Sequence, residues 1–214
     1  MIKMEARFRK TVPAEAQEQI RPFTRRSIFH RQPPLYFAAR IGKESKEDVE
    51  MREANAKLAS ELGSRFRVFL PQADNPYGPL DRGSTMAHVD GEIIRHSKVV
   101  IARGGLRKDT AWECGYGSGL GKFQILLLKT KEEVEKHIED WMLLLSYRYI
   151  LVPKEFAYLI EQSPARPSDA EVVAFEEGQN IAELVWQLYR ENKLLVRLAN
   201  WAKQLFGGEK HDAA

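Results

Sequence analysis

A single cysteine, Cys114, stands in a chain of 214 residues. It rules out an intrachain disulfide and suits a reducing compartment. No apolar run approaches the roughly 20 residues a bilayer span requires. No apolar leader core opens the chain, so the expected location is the cytoplasm. The histidines at 30, 88, 96, 137 and 211 share no metal-ligand spacing with one another or with Cys114. No metal and no other cofactor is therefore expected. G-x-G-x-x-G, a Walker loop and G-x-S-x-G are all missing, which removes dinucleotide or nucleoside-triphosphate binding by those routes and a Ser-His-Asp hydrolase.

What remains is ordinary globular composition, 43% hydrophobic and 29% charged with a net charge of +3. The length suits one sizeable core and is short for two domains. Charge is uneven. Residues 1–34 hold Lys3, Arg7, Arg9, Lys10, Arg21, Arg25, Arg26 and Arg31 against three acids. An arm of that kind either touches a phosphate-bearing partner or is a solvated segment packed on the surface, and the second is the base expectation.

Along the chain, short apolar runs alternate with helical patterns. PLYFAAR (34–40), RVFLP (67–71), VVIA (99–102) and FQILLL (123–128) read as buried strands, with YRYILV (147–152) a candidate fifth. Between them, 46–63 has Val49, Ala56 and Leu58–Ala59 at helical spacing and closes on Gly63 as a C′ residue. Residues 85–97 predict a helix turned inward through Met86, Val89 and Ile93–Ile94. Residues 132–145 and 180–206 also look helical, 73–84 is a loop rich in Pro, Gly, Asn and Asp, and 163–169 is a linker or turn. Continuous apolar strands alternating with helices predict a parallel sheet covered on both faces. Ligands of such sheets sit beyond the carboxyl ends of the strands.

One stretch asks for explanation. KDTAWECGYGSGLGK (108–122) must join two buried strands, yet carries four glycines, each costing a helix roughly 1 kcal/mol relative to alanine. Its Thr110 and Glu113 have the spacing of a capping box, which would account for Glu113 by structure alone. The alternative puts Glu113 in the first turn of a helix that starts at the strand ends, facing the crevice. Asp90 is either a solvated helix residue or a ligand contact, Tyr36 a core residue or part of a site, and Cys114 a small buried thiol. Arg40, Lys43 and Ser45 offer donors after the first strand.

YFAAR (36–40), RVFLPQ (67–72), DGEIIRHSKVVIA (90–102) and TAWECGYGSGLGK (110–122) together resemble the nucleoside 2-deoxyribosyltransferases and their nucleoside 5′-monophosphate N-glycosidase relatives. The resemblance covers about residues 34–130 and is most specific around Glu113. It implies an α/β, Rossmann-like three-layer sandwich with a five-stranded parallel sheet and extra C-terminal helices. It divides the chain into a basic arm (1–33), a nucleoside-binding core (34–152) and a helical extension of the same domain (153–214).

It further implies a covalent glycosyl ester on Glu113, with Asp90 near base and sugar and Tyr36 against the nucleophile. Arg40, Gly42, Lys43, Gly104, Arg107 and Asp109 fall among the expected substrate contacts. The transferases carry an aspartate six residues before the glutamate, and here that position is Arg107. An aspartate common at the start of the third strand is Lys98. With Arg40, Lys43 and Arg103 close by in the topology, Arg107 points to a phosphorylated substrate. The expected partner is a nucleoside or nucleotide, with no membrane and no nucleic acid, and the apolar face of 180–206 predicts a homo-oligomer. The competing readings are a nucleotide-binding sensor of the same fold without efficient catalysis, and an oligomerising scaffold in which Glu113 only caps a helix.

Overall fold

The computed structural model describes residues 14–24, 32–39, 45–75, 84–103, 108–138, 147–163 and 170–206. Six strands form one parallel sheet: β1 (Pro34–Ala38), β2 (Arg67–Phe69), β3 (Val99–Arg103), β4 (Phe123–Leu127), β5 (Tyr149–Pro153) and β6 (Glu171–Phe175). Their order is β2-β1-β3-β4-β5-β6. The three-layer α/β class is as expected, but the strand count is six, not five. β6 went unread in the sequence although VVAF (172–175) is apolar, because the run is short and closed by Glu171 and Glu176. It is an edge strand, and only Phe175 of its five residues is buried.

The helices divide between the faces as the strand order requires. Chain direction across the sheet reverses once, between β1 and β3, and right-handed crossovers put helices on opposite faces either side of that point. On one face lie α1 (Ala14–Thr24), α4 (Ser84–His96), α5 (Lys108–Gly119), α6 (Lys131–Ile138) and α7 (Ala157–Glu161), packed on Tyr36, Val100, Leu126 and Ile150. On the other lie α2 (Lys46–Leu62) and the long α8 (Ile181–Phe206), packed on Leu35, Ile101, Ile125 and Leu151. A single turn, α3 (Pro71–Asp74), follows β2 with its proline at the first helical position.

Local rules explain most of these elements. α2 opens on a complete capping box between Ser45 and Asp48. It ends on Gly63, but at φ −58°, right-handed rather than the left-handed C′ conformation the sequence predicts. Its inward face is Asn55, Leu58 and Leu62, whereas Val49 and Ala56 face solvent. The expected stripe was displaced because a polar residue, Asn55, holds an inward position. α4 buries Val89, Ile93 and Ile94 as predicted, while the side chain of Met86 lies outside the described residues. The basic arm contributes α1, whose Ala16 and Ile20 are buried in the core and whose Phe23 meets Phe69 edge-on at 5.0 Å. No helix among the described residues is long and apolar enough to cross a membrane.

Candidate active site

The strand order reverses between β1 and β3, and in open sheets of this kind ligands sit at that point, beyond the carboxyl ends of the strands. α5 enters beside that point. Because α5 begins at Lys108, Thr110 lies inside the helix and not at its N-cap, so the capping-box reading of Thr110 and Glu113 does not hold. Both residues face the core, Thr110 at 1% exposure and Glu113 at 8%.

Glu113 instead meets β1. The Tyr36 hydroxyl donates to Glu113 Oε1 at 2.6 Å, joining residues 77 apart in sequence. Tyr36 is fully buried and stacks on Phe69 with ring centroids 5.8 Å apart, so its ring has little freedom to swing away. Asp90, from α4, lies within electrostatic and hydrogen-bonding reach of the same phenol. Asp90 is no solvated helix residue: it is 3% exposed, and Asn75 Nδ2 donates to its Oδ1 at 3.2 Å.

Electrostatics sets the proton's place. Burial, followed by the charges of Asp90 and Glu113, holds the Tyr36 phenol well above its ordinary value. A phenolate between two carboxylates would be a third negative charge in one dry cluster. Tyr36 is therefore a donor at any ordinary pH and cannot act as a base.

Helix α5 is held tightly against the sheet. A Cβ on Gly117 would lie 3.0 Å from Gln124 Nε2 and 3.3 Å from Val100 Cγ2, so this glycine permits close approach to β3 and β4. Gln124 Nε2 in turn donates to the Cys114 carbonyl at 2.8 Å. The Cys114 thiol is fully buried, accepts from the Tyr147 hydroxyl at 3.1 Å, and is pushed up to about 12 by burial. It is a packed thiol, not a nucleophile. Gly121 adopts φ +63°, which turns the chain from α5 into β4.

The structure brings together Tyr36, Glu113 and Asp90 of the residues singled out in sequence. Arg40, Gly42, Lys43, Gly104 and Arg107 lie outside the described residues, as does the side chain of Asp109, whose backbone is in the first turn of α5. Arg103 does not join the Tyr36 cluster. It alternates with Ala102 onto the opposite face, where its Nη1 donates to Asn55 Oδ1 at 2.8 Å. Sequence reading missed Asn75, hidden in a loop rich in Pro, Gly and Asp. Its position just beyond the carboxyl end of β2 was the available signal. Among the described residues no group of three His, Cys, Asp or Glu side chains could hold a metal ion.

No protein-family description matches the chain, and no curated protein matches its sequence. Among solved structures, the chain is similar to the CMP N-glycosidase BcmB of Clostridium botulinum. That likeness has a TM-score of 0.37 at 19% identity, and covers 73% of this chain and 98% of the other. At that level the functional reading rests on the side chains themselves.

Proposed function

We propose that this protein cleaves or transfers the N-glycosidic bond of a (deoxy)nucleoside or nucleoside 5′-monophosphate, with Glu113 as the nucleophile. The observation that carries the reading is the buried triplet in which Tyr36 donates to Glu113 Oε1 at 2.6 Å while Asp90 stands beside the same phenol. A capping glutamate has no use for a buried tyrosine from another strand. A nucleophilic carboxylate does, because it must be held in one orientation at the sugar's anomeric carbon.

In this mechanism the carboxylate of Glu113 attacks C1′ as the bond from C1′ to the base nitrogen breaks. The positive character that builds on the sugar is stabilised by the two carboxylates. The base leaves with the bonding electron pair and takes up a proton. The glycosyl ester on Glu113 is then opened by water, which restores the carboxylate and gives the free sugar, or by a second base, which gives a new nucleoside. Tyr36 steadies Glu113 throughout by its hydrogen bond, and Asp90, set by Asn75, faces the sugar and departing base. The apolar surroundings of the cluster strengthen these interactions by excluding water.

Incubation with a panel of nucleosides and nucleoside 5′-monophosphates, with chromatographic detection of free base, tests this. Release of base from at least one member, lost in Glu113→Gln, supports the proposal. A panel that binds without releasing base would favour the sensor reading instead.

A further inference from the structure

Arg103 ends β3 with its side chain 8% exposed, turned toward α2 and away from Tyr36. A guanidinium carries five N–H donors in a planar fork. Among the described residues only one acceptor, Asn55 Oδ1, is met by that fork, and Nε is buried with no partner among them. Asn55 is itself fully buried and also donates to Gln72 Oε1 at 3.5 Å, so the acceptor that aims Arg103 is fixed from a second side.

The neighbouring carboxylate offsets this cation in part, without a direct hydrogen bond to it among the described residues. Glu133 is close enough to oppose the lowering of the Arg103 pKa that burial produces. Its oxygen, however, is engaged by the backbone N–H groups of Lys129 and Thr130, where it forms a capping box at the start of α6. Beside Arg103 stands a second cation. Arg103 pairs with Leu127 at the end of β4, so Lys129, two residues on, alternates onto the same face of the sheet. Burial and then the charge of Arg103 hold it below its ordinary pKa, opposed by Glu61 and Glu133. If Arg103 merely tied β3 to α2, a neutral amide would make the same bond to Asn55 without desolvating a charge, which is costly when unpaired.

We propose that Arg103, aimed by Asn55 and joined by Lys129, forms a binding site for a phosphate-class anion at the carboxyl ends of β3 and β4, on the α2 side of the sheet. A guanidinium holds two phosphate oxygens at once, and the ammonium adds a point charge. The site stands on this cation geometry. That its occupant is the substrate's own 5′-phosphate rests on the glycosidase reading, whereas a free phosphate acting from beside the crevice does not.

Calorimetric titration of the full chain with inorganic phosphate, at low and high salt, tests the site without any turnover. Saturable binding that weakens with salt is expected, reduced roughly tenfold in Lys129→Ala and lost in Arg103→Gln. Lys129 is only partly covered and makes no side-chain hydrogen bond among the described residues, so its variant keeps the fold even if Arg103→Gln does not. Absence of saturable binding, or equal affinity in wild type and Lys129→Ala, overturns the proposal. A second arm separates the sources of the anion. If the substrate carries it, phosphate competes with a nucleoside 5′-monophosphate and not with the nucleoside. If phosphate is an effector, it alters turnover of both alike. Should no base be released from any substrate, the first arm still decides the site.

Discussion

The Tyr36 hydroxyl and Glu113 Oε1 lie 2.6 Å apart in a layer closed to water, one from the first strand and one from the helix after the third. Replacing Glu113 by glutamine keeps an oxygen acceptor for the phenol and nearly the same volume, while removing the nucleophilic carboxylate. Glu113→Gln is therefore expected to lose base release by a factor on the order of 10³ or more. Its melting temperature should stay within a few degrees of wild type. Both are measured on one preparation. Retained activity together with lowered stability would return Glu113 to a structural role.

Tyr36→Phe removes a donor and leaves the ring's packing on Phe69 in place. Loss of a buried hydrogen bond to a charged partner costs roughly 1.5–3 kcal/mol. In the proposed mechanism Tyr36 orients Glu113 without reacting, so kcat should fall while KM changes little. The pH dependence has a definite sign. The folded-state pKa is raised above the ordinary 10.0, so the contribution is fully present below about pH 10. It is lost as pH rises further, since the unfolded phenol then ionises and the folded one does not. Denaturant unfolding across pH 9 to 11 should show a steeper alkaline decline in wild type than in Tyr36→Phe.

Most of the sheet was readable from sequence, for a physical reason. Strands buried on both faces are near-continuously apolar, and β1, β3, β4 and β5 are so apart from Gln124 and the terminal Arg103. β6 has a run of similar length, VVAF (172–175), but acidic residues close it on both sides and it is mostly half-exposed at the sheet edge, so it did not stand out. The candidate triplet was half legible. Glu113 stood out through the glycines around it, yet those glycines have different causes, since Gly117 lies against Gln124 while Gly115 meets nothing. Asp90 and Tyr36 looked like ordinary helix and core residues, because a pairing across 77 positions leaves no local trace. The Arg103–Asn55 bond was invisible for the same reason, and the face Arg103 takes follows from strand alternation that a basic residue at a strand end does not advertise.

Glu92 sets the acid limit of α4. Burial alone would raise its carboxyl, but hydrogen bonds from His96 and Arg95, with the Arg95 charge, hold it at about 2. Arg95 Nη2 lies 2.6 Å from Glu92 Oε1. A depressed carboxylate stabilises the fold above its unfolded pKa, and that contribution disappears as pH falls through the folded value. Stability from Glu92 is thus complete above about pH 5 and lost toward pH 2, worth at most roughly 2–3 kcal/mol. Glu92→Gln should be destabilised at neutral pH and converge on wild type near pH 2 in thermal unfolding.

The glycines of α5 divide by what surrounds them. Gly117→Ala places a methyl against Gln124 and Val100 and should cost about 1–3 kcal/mol, since the helix cannot move off the sheet freely. Gly115 is exposed, and a Cβ there meets nothing within 4 Å. Gly115→Ala should therefore stabilise the chain by up to about 1 kcal/mol through helix propensity. Chemical denaturation of the two variants gives shifts of opposite sign. A destabilised Gly115→Ala would mean that something outside the chain approaches that face.

The two halves of α8 have different surroundings. Ile181, Leu184, Val185 and Leu188 are buried on the sheet, and Trp186 and Tyr189 meet Phe66 edge-on at 5.5 and 5.9 Å. Beyond them the helix outruns the sheet, leaving Leu194, Leu195, Val196 and Leu198 at 50–57% exposure. A covered first half followed by a bare apolar stretch is the pattern of a helix that meets another chain, and a homo-oligomer is the assembly proposed here. Sedimentation at micromolar concentration should show more than one chain per particle. Leu195→Glu with Leu198→Glu should give monomers without lowering the unfolding temperature, because both side chains already lie in solvent within one chain. A wild-type monomer under those conditions overturns the assignment, and a double variant that stays assembled moves the interface away from α8.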